Sequence, residues 1–492
     1  MPKPGVAMRA LASWSRSLPI AFATLLAVAP ALGETIGLDP AFGHDGFTRI
    51  TLPGGYDNAR QLLQTPDGKT LVLGTAQDAI GDTAFVARFL TTGDPDPTFG
   101  DNGIVRLKPP LYENSEPIGV ALDGTDVVLA TRVTFQSDRA LLIERLDTNG
   151  MPDTVWCGVG YCVANNVDIE PSTAAVAVVG HRLVVAGRDN NAGFRGTAFS
   201  FADDGSSDAA FGVGGVATFQ SITLVNAAAI SPSGRVAFAG PPGVPQVDTA
   251  MIGMLSASGS PDATFGTLSA VAVAGAIPAI AFDAETLVTA AGILPNLVFH
   301  RLQADGTPDA GFGNGGTATV LSPINVYGLG QLSINAHRVF WIITTTNSAS
   351  KVVQLDATGG VVSHAGDGGF STLGAFNSIS AMLASGGNAL VVGTPVAPGV
   401  SSFQRVTLDG AVDTSIGGGG IPLGVGRQLL GIQRAVPVSG NRLIAIGLAG
   451  DDLYAVRLTS GGDVDQSFGN SGYARISACT DEIHPSLGQT HV

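Results

Sequence analysis

The sequence predicts an all-β protein: a single β-propeller, with eight four-stranded blades closed by an extra terminal strand. Three observations carry that expectation. A short phrase recurs nine times, at intervals of 47 to 57 residues. Short β-branched runs, separated by turn residues, fill the intervals. Glycine accounts for 67 of the 492 residues with no collagen-like period, a share that belongs to chains with very frequent turns.

The N-terminus reads as an export signal. Lys3, Arg9 and Arg16 give a positive start, Leu18 to Ala29 an apolar stretch, and Ala31-Leu32-Gly33 a small-x-small cleavage pattern. A signal peptide is therefore expected over residues 1–33, with the propeller over 34–477 and a polar tail over 478–492. The apolar stretch is shorter than the ~20 residues needed to span a bilayer. The expected setting is secreted, periplasmic or cell-surface, with no membrane span once the signal is removed.

The repeated phrase reads Asp-x-x-Phe-Gly-x-x-Gly. Clear copies are Asp39, Phe42, Gly43 and Gly46, then Asp96, Phe99, Gly100 and Gly103. Further copies begin with Asp208, Phe211 and Gly212, with Asp309, Phe312 and Gly313, and with Asp465, Phe468 and Gly469. Another centres on Phe265, and degenerate copies centre on Trp156, Ala365 and Ile416. The Asp is present in eight of the nine, Val362 being the exception, and that register rules out coincidence. After each phrase come an alternating strand (Phe47 to Ile50), an apolar segment, a turn (Pro66-Asp67-Gly68), a run such as Leu71 to Gly74, and a last strand such as Phe85 to Leu90. Four strands in about fifty residues make a propeller blade. The strand after the ninth phrase, Tyr473 to Ile476, is expected as the extra edge strand that fastens the ring.

These phrases resemble the delta-60 repeat of bacterial exported proteins, whose pattern is close to Leu-Asp-x-x-Phe-Gly-x-x-Gly. Here it stands as Leu38-Asp39-Pro40-Ala41-Phe42-Gly43-His44-Asp45-Gly46. The resemblance extends over residues 36–477. It implies a propeller-like fold and a secreted or cell-surface setting, and it carries no activity and no catalytic residues.

The phrase Asp has two readings. Asp94, Asp96 and Asp101 lie close together, and calcium takes several oxygens from one loop. The same Asp recurs in copies without a second carboxylate, which favours an Asx-turn. No cofactor is expected, with calcium the one left open, at Asp94, Asp96 and Asp101. Arg88, Arg145, Arg301 and Arg457 recur near the end of the last strand. They are expected on a solvated face or paired with a carboxylate of their own blade, worth ~0–1 kcal/mol if exposed. The phrase Phe and Trp156 are expected between blades rather than as sugar platforms. Cys157 and Cys162 flank Gly158 to Tyr161 and are expected to form a local disulfide in an oxidising compartment.

Net charge is −15, from 25 basic and 40 acidic side chains. No basic cluster is present to neutralise phosphates, so nucleic acid is not expected as a partner. The chain has no Gly-x-Ser-x-Gly and no His-Glu-x-x-His. Gly68-Lys69-Thr70 resembles the end of a phosphate loop, but Leu63 stands where its first glycine belongs. Asp203-Asp204 and Asp451-Asp452 lie in polar loops and read as solvated turns. The expected function is a binding or scaffold module for a polysaccharide or protein ligand outside the cytoplasm. The rival is a hydrolase or lyase with its site at one mouth of the propeller channel. Lys108 to Pro117 and Pro241 to Val247 break the repeat with prolines, and such loops carry function more often than cores do.

Overall fold

The structure is a computed structural model. It describes residues 49–51, 57–77, 81–91, 95–107, 112–241, 249–267, 270–274, 276–293, 295–321, 326–345 and 350–362 and, from 370 to 477, the strands with parts of their turns. The expected signal peptide, the tail, Cys479 and the first phrase (Asp39, Phe42, Gly43, Gly46) lie outside the described residues. So do Asp94, Gly469, and the phrase centres at Ala365 and Ile416.

The described chain is β-sheet with two single-turn 3-10 segments, Trp156–Gly158 and Pro171–Thr173. Six separate four-stranded antiparallel meanders follow one another, over 57–107, 114–165, 175–219, 227–274, 276–321 and 326–372. They are numbered here as the first to sixth sheets. A nine-stranded sheet holds two more four-strand sets, 376–425 and 428–477, joined where Gly424 pairs Leu429 and Val425 pairs Gln428. Its last member is Arg49–Thr51, lying parallel to Tyr473–Ser477.

The first strand of each sheet packs against the first strand of the next. The series runs through the nine-stranded sheet, where Gln428–Val438 also packs against Asp57–Gln64 of the first sheet. The cores lie between sheets. Leu71, Leu73, Val86 and Phe99 of the first meet Val120, Val127, Leu129 and Leu146 of the second. On its other side, Val72, Phe85 and Phe89 meet Val438, Ile444, Ile446 and Phe468. Side chains alternate across a strand, so both faces of a sheet bury apolar residues.

The phrase is the device that joins neighbours. The Asp96 carboxylate accepts the Thr98 amide (3.0 Å) and hydroxyl (2.6 Å) at one oxygen and Arg88 Nε (2.8 Å) at the other. Burial would raise this carboxyl, but the Thr98 donors, Lys69 and Arg88 bring it down to about 2. The Arg88 guanidinium lies 4.3 Å from the centre of the Phe99 ring and donates to the Thr148 carbonyl of the second sheet. Gly100 donates to the Asn149 carbonyl beside it at 2.7 Å. Gly100 has a φ of +55°, and a Cβ there would stand 2.3 Å from the Ile104 oxygen, so in this copy of the phrase a side chain would clash.

The same arrangement recurs. Arg301 holds Asp309 at 2.6 Å and reaches Ala357, and Arg457 holds Asp465 at 2.7 Å and reaches Thr91 of the first sheet. In the third and fourth sheets Ser200 and Met254 stand where the arginine belongs. Arg182 and Arg235, from the start of the second strand, take over for Asp208 and Asp262 and reach Ala257 and Ala304. These arginines are mostly buried; Arg88 is 5% exposed and Asp96 1%. These pairs are not the exposed ones expected from the sequence, because the next sheet covers each arginine. Removing one partner of a buried pair costs about 3–5 kcal/mol.

Two expectations are corrected. The strand after a phrase does not begin a sheet but ends one: Ile104–Leu107 pairs with Asp82–Phe89 before it. The phrase turn folds the chain back on the strand bearing its arginine, which fixes that frame. Consequently Tyr473–Ser477 is an ordinary fourth strand, and the additional strand is Arg49–Thr51.

Cys157 and Cys162 are joined as a disulfide, with Cα atoms 5.7 Å apart. Cys157 sits at the phrase-glycine position with a φ of +52°, a left-handed conformation that costs a non-glycine residue about 1–2 kcal/mol. Replacing both cysteines with alanine lowers stability by about 2 kcal/mol, the loop-closure value for so short a ring. Cys157→Gly with Cys162→Ala recovers about half of that loss. Thermal melts of the two variants check this, and equal melting temperatures would contradict it.

Candidate functional site

The second sheet departs most from the repeat. Its second and third strands, Asp126–Phe135 and Asp138–Leu146, run to nine or ten residues and carry their hairpin beyond the packed core. Gln136 turns that hairpin with a φ of +56°. Tyr112 enters the sheet just before the strand Asn114–Asp123, and Asn165 and Asn166 leave it after Tyr161–Asn165. Asn166 has a φ of +58°, which Asn tolerates better than most residues.

These segments enclose a pocket of about 280 Å3, lined by Tyr112, Phe135, Asp138, Arg139, Ala140, Asn165 and Asn166. Ala140 and Tyr112 also belong to a small buried cluster beside it, in which Tyr112, Tyr161 and Val163 pack against Val133, Ala140 and Leu142. Phe135 keeps 45% of its surface exposed. Burial, with Tyr161 close by, pushes the Tyr112 hydroxyl upward, so it remains a proton donor at neutral pH. Asp138, Asn165 and Asn166 make no side-chain hydrogen bond to another described residue.

Arg139 is the exception, because it is held from behind. Its Nη1 donates to Asp168 Oδ2 at 2.6 Å. Asp168 is buried and also accepts Arg132 (3.1 Å) and Asn190 (3.2 Å). Arg132 reaches Glu116 and, at 3.6 Å, Glu170. Burial alone would raise Glu170; Arg132, Ser172, Asn190 and Arg188 hold it below the usual value. Arg60 of the first sheet donates to the Pro171 carbonyl at the entry to the third. Through Asp168, residues of the second and third sheets hold Arg139 from behind.

A second polar cluster surrounds Arg145. Its guanidinium lies 2.9 Å from Asp126, 2.9 Å from Asp203 and 3.3 Å from Asp123, and His181 Nδ1 is 2.7 Å from Asp123. Asp123, His181 and Asp203 stand close enough to share a metal ion, but the arginine already supplies the positive charge there. His337 and Asp283 repeat the His–Asp contact between the fifth and sixth sheets at 2.7 Å.

The sequence-derived candidates fall outside the pocket. Asp96, Asp208, Asp309 and Asp465 are phrase turn-formers. Both Asp96 oxygens are committed to protein donors, and Asp101 is exposed and accepts from Asn102. Phe99, Phe211, Phe312, Phe468 and Trp156 are buried between sheets. Gly103, Gly212 and Gly313 adopt positive φ, as Gly100 does. Asp203 is not a bare solvated turn residue, since Arg145 holds it. The pocket residues were missed, although Tyr112 lies in the proline-broken segment Lys108 to Pro117.

The family described as a domain of unknown function (DUF5122) beta-propeller matches residues 65–99. That stretch holds two strands of the first sheet and the start of a phrase, Asp96 to Phe99, and the fold is of the β-propeller class. Among solved structures, the chain is similar to the β-propeller domain of the trilobed protease from Pyrococcus furiosus. Identity is 8%, over 70% of this chain and 93% of that one, with a TM-score of 0.38. A structure of prolyl endopeptidases shares 10% identity over 82% of this chain and 55% of that one, with a TM-score of 0.45. The PQQ-bound aldose sugar dehydrogenase from Streptomyces coelicolor shares 14%, over 65% and 95%, with a TM-score of 0.33. No curated protein matches the chain. No helix among the described residues is long and apolar enough to cross a membrane.

Proposed function

We propose that the chain is an exported propeller of delta-60-type repeats that acts as a binding module, taking a saccharide or protein ligand outside the cytoplasm at the pocket of the second sheet. The ring has eight four-stranded blades, with Arg49–Thr51 added to the last. Closure is supported by three contacts between the last set and the first sheet: the packing of Gln428–Val438 on Asp57–Gln64, the shared core, and the Arg457 bond to Thr91. A closed ring leaves few free edges and presents loops on a rigid frame.

The pocket is the observation that carries the binding reading. It combines exposed aromatic surface with Asp138, Asn165 and Asn166, whose side chains make no hydrogen bond to another described residue, the mixture that ligand sites use for area and orientation. A hydrolase that works through paired carboxylates needs two of them at one cavity, and Asp138 is the one carboxylate among the described residues lining the pocket. In the Arg145 and Arg132 clusters the carboxylates face arginines. A glycan and protein array tests the reading, with wild type and Phe135→Ala side by side. Ligands held by wild type and lost by the variant support it; ligands held equally by both place binding elsewhere.

A further inference from the structure

We infer that the pocket takes one uncharged pyranose ring of a glycan, its C–H face against Phe135 and Tyr112 and its hydroxyls on Asp138, Arg139, Asn165 and Asn166. The inference rests on the binding reading above and adds the ligand class.

The size of the pocket sets the first limit. Small-molecule sites usually run to ~300–1,000 Å3, so 280 Å3 suits a single ring rather than a folded peptide segment. The lining sets the second. A pyranose is amphipathic, with an apolar face of C–H bonds and a rim of hydroxyls that each donate and accept. Aromatic side chains meet the first need. For the rim, Asp138 accepts, Arg139 donates, and the Asn165 and Asn166 amides do both. A flat aromatic ligand would leave those four polar groups unanswered, at a cost when they are desolvated.

Charge sets the third limit. Asp138 and Arg139 cancel within the lining. Behind the lining, Asp168 is shared by Arg139 and Arg132, with Glu116 and Glu170 on Arg132, so that network presents no excess positive charge to the ligand. The chain as a whole carries −15, which repels polyanions. A uronate or sulfated sugar would place its charge beside Asp138 with no unmatched cation to receive it. An amino sugar with a free ammonium would meet Arg139. An uncharged hexose or N-acetylhexosamine meets neither penalty.

The geometry is also fixed in advance. Arg139 is anchored on a buried carboxylate and Tyr112 is packed against the apolar cluster of Val133, Ala140 and Leu142, so little side-chain freedom is lost on binding.

The test is titration calorimetry of the full chain with methyl glycosides: neutral hexosides, N-acetylhexosaminides, the corresponding uronide, and cyclohexanol as an apolar control. A neutral or N-acetylated glycoside should bind at least tenfold tighter than its uronide, with little salt dependence. Phe135→Ala and Asp138→Asn should each weaken it at least tenfold, with melting temperatures unchanged. Uronide binding that equals or exceeds the neutral sugar and weakens with salt would overturn the ligand class while leaving the pocket as the site. Binding unaltered in both variants, or cyclohexanol binding as well as the sugars, would overturn the pocket assignment itself.

Discussion

Phe99→Ala lowers the free energy of unfolding by about 4 kcal/mol. The ring is fully buried and lies in the core shared by the first and second sheets. Deleting a buried Phe costs about 3–5 kcal/mol through lost transfer energy and the cavity left behind. Two features place this site within that range rather than below it. The Arg88 guanidinium sits 4.3 Å from the ring centre and loses its aromatic partner. On the far side, a Cβ at Gly150 would stand 2.9 Å from the ring, so backbone of the second sheet touches Phe99 and cannot close over the gap. Phe135→Ala is the matched control. That ring is largely exposed, and its loss changes stability by no more than about 0.5 kcal/mol. Urea unfolding of both variants checks the pair, and similar midpoints would show that the phrase aromatics do not join sheets.

Glu144→Gln stabilises the protein by up to about 3 kcal/mol at pH 8 and by nothing at pH 4.5. Glu144 lies between Leu129 and Tyr161 in the middle of the second sheet. Its Oε2 is buried without a hydrogen-bond partner, and burial pushes the carboxyl up to about 7 from an ordinary 4.5. The folded state therefore holds a proton that the unfolded chain releases. Below pH 4.5 both states are protonated and the group costs nothing through ionisation. Between pH 4.5 and 7 stability falls as pH rises. Above pH 7 both states are ionised and the full cost is present, at about 1.4 kcal/mol per pH unit of separation. Asp96 has the opposite sign: its lowered carboxyl stabilises above pH 3.8, and the benefit disappears as pH falls toward 2. Unfolding midpoints at pH 4.5, 6 and 8 separate the two groups. A Glu144→Gln gain that is the same at all three would contradict the assignment.

The repeat was legible because each phrase residue performs the same task in successive sheets. Asp96 and Asp465 close the same Asx-turn, and Phe99 and Phe312 fill the same gap. The strand frame was not, because the phrase reads equally well as the start or the end of a sheet. The turn's backbone decides that: the Asp96 N–H donates to the Arg88 carbonyl, as Asp208 does to Ser200 and Asp262 to Met254, tying each phrase to the strand before it. Arg182 and Arg235 stayed hidden for another reason. They replace the missing arginines in space from a different strand, and equivalence of that kind leaves no mark in the spacing. The pocket is built once. Tyr112, Phe135 and Asn165 come together only through the pairing of four strands, so no period announces them, and the one local sign was the proline-broken segment before Glu116.

The central claim is that successive fifty-residue units pack in a ring, so the last neighbours the first. Spin labels on equivalent exposed turns test this most directly, with cysteines introduced at Pro97, Thr154, Ala310 and Ser467 in a Cys479→Ser background that keeps the native disulfide. A ring predicts that the Pro97–Ser467 distance matches the Pro97–Thr154 distance between neighbours, and that Pro97–Ala310, several units apart, is the longest. A Pro97–Ser467 distance longer than Pro97–Ala310 would mean an open array and would contradict the account.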